Sequence, residues 1–87
     1  MRVLLADDHH LVRAGIRALL EGLSDVEIVA EAGDGQEALA ALVRTKPDIA
    51  LVDISMPGLN GLELATRASR EAPETRLVIL SVHGDAS

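Results

Sequence analysis

Four short apolar runs punctuate the sequence, three of them closed by an acidic or hydroxyl residue. Arg2-Val3-Leu4-Leu5-Ala6 runs into Asp7 and Asp8, Ile49-Ala50-Leu51-Val52 into Asp53, and Leu77-Val78-Ile79-Leu80 into Ser81. Near-continuous apolar character over so few residues marks a strand covered on both faces, as in parallel sheets under helices. The remaining run, second in chain order, Val26-Glu27-Ile28-Val29-Ala30, alternates through Glu27 and Glu31. Alternation means one wet face, so this strand is expected at an edge of the sheet.

Between the runs lie stretches of helical period. Leu11 to Leu23 sets Val12, Ile16, Leu19, Leu20 and Leu23 at spacings of three and four, which predicts one inward face. Gly15 interrupts this helix at a cost in propensity, which points to close packing or family history as the reason. A second helix is predicted over 35–45. Asp34 and Glu37 form a capping box before it, Leu39 and Leu42 face inward, and Pro47 stops it. A third is predicted over 61–72, with Asn60 as its cap and Pro73 beyond its end. Strands alternating with helices imply an α/β fold with parallel pairing and right-handed crossovers.

Composition narrows the functions such a fold could serve. There are 87 residues, enough for one domain, spanning 1–87. The net charge of -6 and single lysine, Lys46, exclude this segment as a grip on phosphate backbones. With no aromatic residue there is no platform for stacking unpaired bases. With no cysteine there is neither a disulfide frame nor a thiolate metal site. No apolar run is long enough to span a bilayer and no secretory signal opens the chain, so a cytoplasmic address without membrane partners is expected.

The chemistry-bearing residues fall at strand ends. Asp7, Asp8, Asp53 and Ser81 all follow apolar runs. In open α/β sheets that edge carries the ligand site, and the order expected for this class sets the first and third strands side by side. Asp7 and Asp8 would then meet Asp53. Crowded carboxylates repel, so either some hold a proton or a cation sits among them. A hard divalent cation such as Mg²⁺ suits oxygen donors of this type. His9, His10 and His83 do not recur on one helix face, which argues against a histidine metal site. Gly33-Asp34-Gly35 reads as a flexible turn. It lacks the Lys-Ser/Thr sequel of a phosphate loop.

Asp53 opens the stretch Asp-Ile-Ser-Met-Pro-Gly-Leu-Asn-Gly, ending at Gly61. An acidic pair after the first strand, Asp-x-x-Met-Pro-x-x-x-Gly after the third and a hydroxyl after the fourth together resemble a bacterial response-regulator receiver domain. The opening Asp7-Asp8-His9 and the late Leu80-Ser81-Val82-His83 resemble the NarL/FixJ subfamily, whose members carry a C-terminal DNA-binding domain of LuxR type. The resemblance implies a flavodoxin-like three-layer fold with strand order 2-1-3-4-5. It implies that Asp53 accepts a phosphoryl group from a sensor histidine kinase. Asp8, Asp53 and the backbone carbonyl of Ser55 would hold Mg²⁺ directly, and Asp7 would hold it through water. Ser81 would be the switch hydroxyl on the phosphoryl oxygen. Met56 and Pro57 are read as loop-shaping, with a cis or kinked Met56-Pro57 link.

The family pattern includes a fourth helix, a fifth strand ending in a lysine, and a fifth helix, none of which this sequence matches; Lys46 stands at the end of the second helix instead. An incomplete receiver is therefore expected, with slow phosphorylation. Its fourth strand would be an apolar edge inviting self-association between chains. DNA would be reached only through an absent helix-turn-helix domain. Two other classes fit less well. A haloacid-dehalogenase-like phosphohydrolase wants a second Asp two residues past the nucleophile, where Ser55 stands. A small flavodoxin-like binding domain wants a phosphate cradle after the first strand, where Asp7 and Asp8 would repel the ligand.

Overall fold

The computed structural model describes residues 1–80. Its elements are β1 (Arg2–Ala6), α1 (His10–Glu21), β2 (Glu27–Ala32), α2 (Gly35–Thr45), β3 (Ile49–Asp53), α3 (Gly61–Glu71) and β4 (Arg76–Leu80). The strands form one parallel sheet in the order β2-β1-β3-β4. This is the α/β receiver-type order through the fourth strand. The alternating run, β2, does lie at an edge, and β1 and β3 are neighbours.

Pairing fixes which residues share a face. Leu4 and Ala6 stand beside Ala50 and Val52. On that side α2 and α3 close a core with Ala38, Ala41, Leu42, Leu64 and Ala68. The small alanines let α2 approach the strands and α3 closely, so an all-aliphatic core still packs without aromatic bulk. Val3 and Leu5 point the other way and are also fully buried, on the side of α1.

Helix ends follow the predicted caps. Asp34 Oδ1 accepts from the Glu37 N–H at 2.8 Å, and Glu37 Oε1 accepts from the Gly33 N–H at 2.8 Å. Asn60 Oδ1 accepts from the Glu63 N–H at 3.0 Å. Lys46, at φ 44°, turns the chain left-handed to end α2, and Pro47 is buried directly after it.

Three expectations need correction. β2 extends to Ala32 rather than Ala30, because Glu31 and Ala32 pair with Leu5 and Ala6. The inward face of α1 is narrower than its period suggests. Val12, Ile16 and Leu20 are half-buried, while Leu19 is 76% and Leu23 52% exposed. The helix stops at Glu21, Gly22 caps it, and Leu23 lies beyond it. Gly15 is exposed, and a Cβ there would meet nothing within 4 Å among the described residues, so close packing does not account for it.

Candidate functional site

The C-terminal edge of the two central strands gathers the acidic residues. Asp7 and Asp8 follow β1 directly, and Asp53 is the last residue of β3. Asp7 is 1% and Asp53 2% exposed, while Asp8 is half-buried. One ligating atom each from Asp7, Asp8, His9 and Asp53 lies within 4.8 Å of the others. β1–β3 pairing places them there: Ala6 and Val52 are register partners, so the residues that follow each emerge together.

Each carboxylate is oriented by its own loop. Asp7 Oδ1 accepts from the His9 N–H at 2.8 Å, which turns the chain into α1. Asp53 Oδ1 accepts from the Ser55 N–H at 3.1 Å, and Asp53 Oδ2 from the Ser55 hydroxyl at 3.0 Å. The β1–α1 loop is held by Arg13. Its Nη1 donates to the Asp7 carbonyl at 3.0 Å and to the Ala32 carbonyl at 2.9 Å. Its Nε lies 3.3 Å from Glu31 Oε1, and Arg17 Nη1 lies 3.1 Å from Glu31 Oε2. One guanidinium thus ties the ends of β1 and β2 to α1.

The donor set fits a hard divalent cation. Asp7 Oδ2 is buried and has no hydrogen-bond partner among the described residues. A buried carboxylate oxygen left unsatisfied in this way is costly unless a cation or water meets it. Oxygens ligating Mg²⁺ at about 2.1 Å stand no more than ~4.2 Å apart across the ion, so small side-chain shifts would suffice here. Asp7, Asp8 and Asp53 are the residues that would hold it.

His9 also lies within reach of this cluster, a position that the spacing of the histidines along a helix face does not report. Its Nδ1 lies 2.9 Å from Asp8 Oδ1, 3.4 Å from Asp7 Oδ1 and 3.9 Å from Asp53 Oδ2. The approach to Asp8 is close in distance without being a hydrogen bond. Spacing along a helix face cannot reveal it, because the β1–α1 loop delivers His9, not a helix. The signal that could have found it is simpler: the residue next to two carboxylates at a strand end. The hydroxyl of Ser55 is a second unforeseen contact. Ser81 lies outside the described residues, as does His83. Met56 is buried and Pro57 exposed, in keeping with a loop-shaping role, but no described peptide bond is cis. Gly35, expected in a flexible turn, is buried against the β3–α3 loop.

Comparison with known proteins agrees with this arrangement. Residues 3–87 match the response regulator receiver domain family. The chain is 40% identical over 85 residues to the transcriptional regulatory protein YhcZ of Bacillus subtilis (strain 168), covering 98% of this chain and 40% of that one. It superimposes on the signal receiver domain of the response regulator NarL from Mycobacterium tuberculosis with a TM-score of 0.83 and 39% identity, covering 97% of this chain and 68% of that chain. It superimposes on RcsB from Salmonella enterica serovar Typhimurium, solved bound to promoter rprA in the presence of phosphomimetic BeF₃⁻, with a TM-score of 0.80 and 32% identity, covering 91% of this chain and 41% of that one. The chain spans 38–40% of the length of the curated relatives it matches. A sheet ordered 2-1-3-4 whose central strands end in a shared acidic cluster, in a sequence matched over nearly its full length, leaves one conclusion: the chain belongs to the response regulator receiver domains, of the NarL/LuxR kind.

Proposed function

We propose that Asp53 accepts a phosphoryl group from a sensor histidine kinase, and that the modified domain governs transcription through a DNA-binding effector domain in the whole protein. The observation carrying this reading is the buried Asp53 carboxylate within ligand reach of Asp7 and Asp8. An Asp53 oxygen attacks phosphorus of the phosphohistidine. The P–O bond forms as the P–N bond breaks, and the imidazole leaves and takes up a proton, giving an acyl phosphate. Mg²⁺, when bound, would supply the positive charge that offsets the transferring oxygens and the three carboxylates.

Asp8, Asp53 and the Ser55 carbonyl are assigned as direct ligands, with Asp7 acting through water. The Ser55 hydroxyl must release Asp53 Oδ2 before that oxygen can react, since it now donates to it at 3.0 Å. Ser81, by its place directly after β4, is assigned as the hydroxyl that meets the phosphoryl oxygen. The promoter-bound RcsB solved with a phosphomimetic supports the link from acyl phosphate to DNA.

The reading is tested with acetyl phosphate and Mg²⁺, followed by intact-mass and peptide mass spectrometry. One phosphoryl group on Asp53, absent from Asp53→Asn and absent without divalent cation, is the expected result. Turnover of phosphoesters without a stable adduct would instead mark a phosphohydrolase and overturn it.

A further inference from the structure

Two glycines meet where the β3–α3 loop passes the start of α2, and they are there for opposite reasons. Gly58 has φ +72°, a conformation that suits glycine, but space around it is open: the nearest atom to a Cβ added there would be Gly35 N, at 3.8 Å. Gly35 has no such φ. A Cβ at Gly35, however, would stand 2.2 Å from Gly58 O, 2.5 Å from Gly58 C and 2.6 Å from Leu59 Cα. All three are backbone atoms, which cannot rotate aside as a side chain would. The same approach is sealed by a hydrogen bond from the Gly35 N–H to the Pro57 carbonyl at 3.0 Å.

The loop passes a displacement back towards Asp53. The Leu59 N–H donates to the Met56 carbonyl at 3.3 Å, and the Met56 N–H to the Asp53 carbonyl at 3.4 Å. Met56 is also packed into the core. From Asp53 to Leu59 the chain is therefore a run of short turns anchored at one end by β3 and at the other by the first residue of α2.

We infer that Gly35 is a positioning residue for the acceptor loop: its missing side chain lets α2 buttress residues 57–59, and through them sets the Ser55 carbonyl and Asp53 for the cation and the phosphoryl donor. The inference rests on the receiver reading above. Any side chain at residue 35 must push the loop away from α2, and the shift reaches the atoms assigned to the metal.

Mg²⁺ binding to the full chain is measured by calorimetry and by backbone amide shifts, for the parent, Gly35→Ala and Ala41→Gly. The last variant removes a buried methyl from the middle of α2 and lowers the melting temperature without touching the loop. Gly35→Ala should weaken Mg²⁺ by roughly 10-fold or more, as for other groups that orient metal ligands. It should slow acetyl-phosphate labelling by on the order of 100-fold, as misplacement of reacting atoms does. Amide shifts at 54–59 should move, while Ala41→Gly keeps the parent's Mg²⁺ affinity. Should Gly35→Ala not fold, Gly58→Ala strains the same loop through its φ of +72° rather than through contact with α2, and should weaken Mg²⁺ and move the shifts at 54–59 as well, parent-like values in it overturning the role given to the loop. Parent-like Mg²⁺ affinity and loop shifts in the folded variant would overturn the role of Gly35 and leave the receiver reading standing. A parent that binds no Mg²⁺ would overturn the receiver reading and the inference with it.

Discussion

On one face of the sheet, α2 and α3 press Ala38, Ala41, Leu42, Leu64 and Ala68 onto Leu4, Ala6, Ala50 and Val52, all nearly shut off from water. On the other, α1 lies over Val3 and Leu5 without burying a residue of its own. The first face is held by apolar contact. The second depends on directed polar contacts, chiefly Arg13 to two backbone carbonyls and the Arg13–Glu31–Arg17 cluster. The difference teaches where the domain keeps its rigidity. The packed face supports the acceptor loop through Gly35, while the clamped face supports the acidic β1–α1 loop through Arg13.

The sharpest test of this contrast is large-to-small substitution on each helix. Leu42→Ala in α2 should cost about 2–5 kcal/mol, because the residue is fully enclosed. Leu20→Ala in α1, only half-buried, should cost about 1 kcal/mol. Urea unfolding of the two side by side checks this, and equal losses would break the comparison. Next in size is the cation. Mg²⁺ at 100 times its dissociation constant should add about 2.7 kcal/mol to the parent by mass action. Asp53→Asn should lose most of that gain while relieving repulsion in the metal-free form. Melting curves with and without Mg²⁺ report both.

Arg13→Met keeps an apolar stem but takes the Arg13 donor from the Asp7 carbonyl, while the Ala32 carbonyl keeps the Asp7 N–H at 3.0 Å. It should cost about 1–3 kcal/mol, the usual penalty for unsatisfied polar groups. It should also weaken Mg²⁺, since Asp7 and Asp8 share the loop it holds. Loss of stability with unchanged Mg²⁺ affinity would show that the clamp serves α1 alone. The smallest effect belongs to Leu19→Gln. Despite its place on the apolar stripe, Leu19 is 76% exposed, so stability should stay within about 0.5 kcal/mol. A larger loss would mean that α1 packs more tightly than its exposure indicates.

Much of this is legible in the sequence because local chemistry decides it. The apolar runs locate all four strands, Pro47 and the Asp34 and Asn60 caps place α2 and α3, and Asp7, Asp8 and Asp53 fall together once parallel order is assumed. What escapes depends on the other side of a contact. The period of α1 cannot say that the sheet beneath it meets only three of its apolar residues. The need for glycine at residue 35 comes from Gly58, in a separate loop, and nothing around Gly35 in the sequence reports a 2.2 Å conflict. Spacing on a helix face argues against His9, yet it is the β1–α1 turn that carries it to Asp8.

The pairing of β1 with β3 has a kinetic consequence. Asp7 and Asp8 reach Asp53 only after the chain has gone out through α1, β2 and α2 and returned, so the cluster is a non-local contact, slow to close. In the unfolded chain the two acidic segments are far apart and offer a divalent cation no shared site. A cation bound there would grip the native sheet and little that precedes it. If the cluster closes only after the rate-limiting step, the effect falls on the unfolding rate and leaves the folding rate nearly untouched. The acidic cluster, a source of repulsion when empty, would then act as a latch on the two central strands.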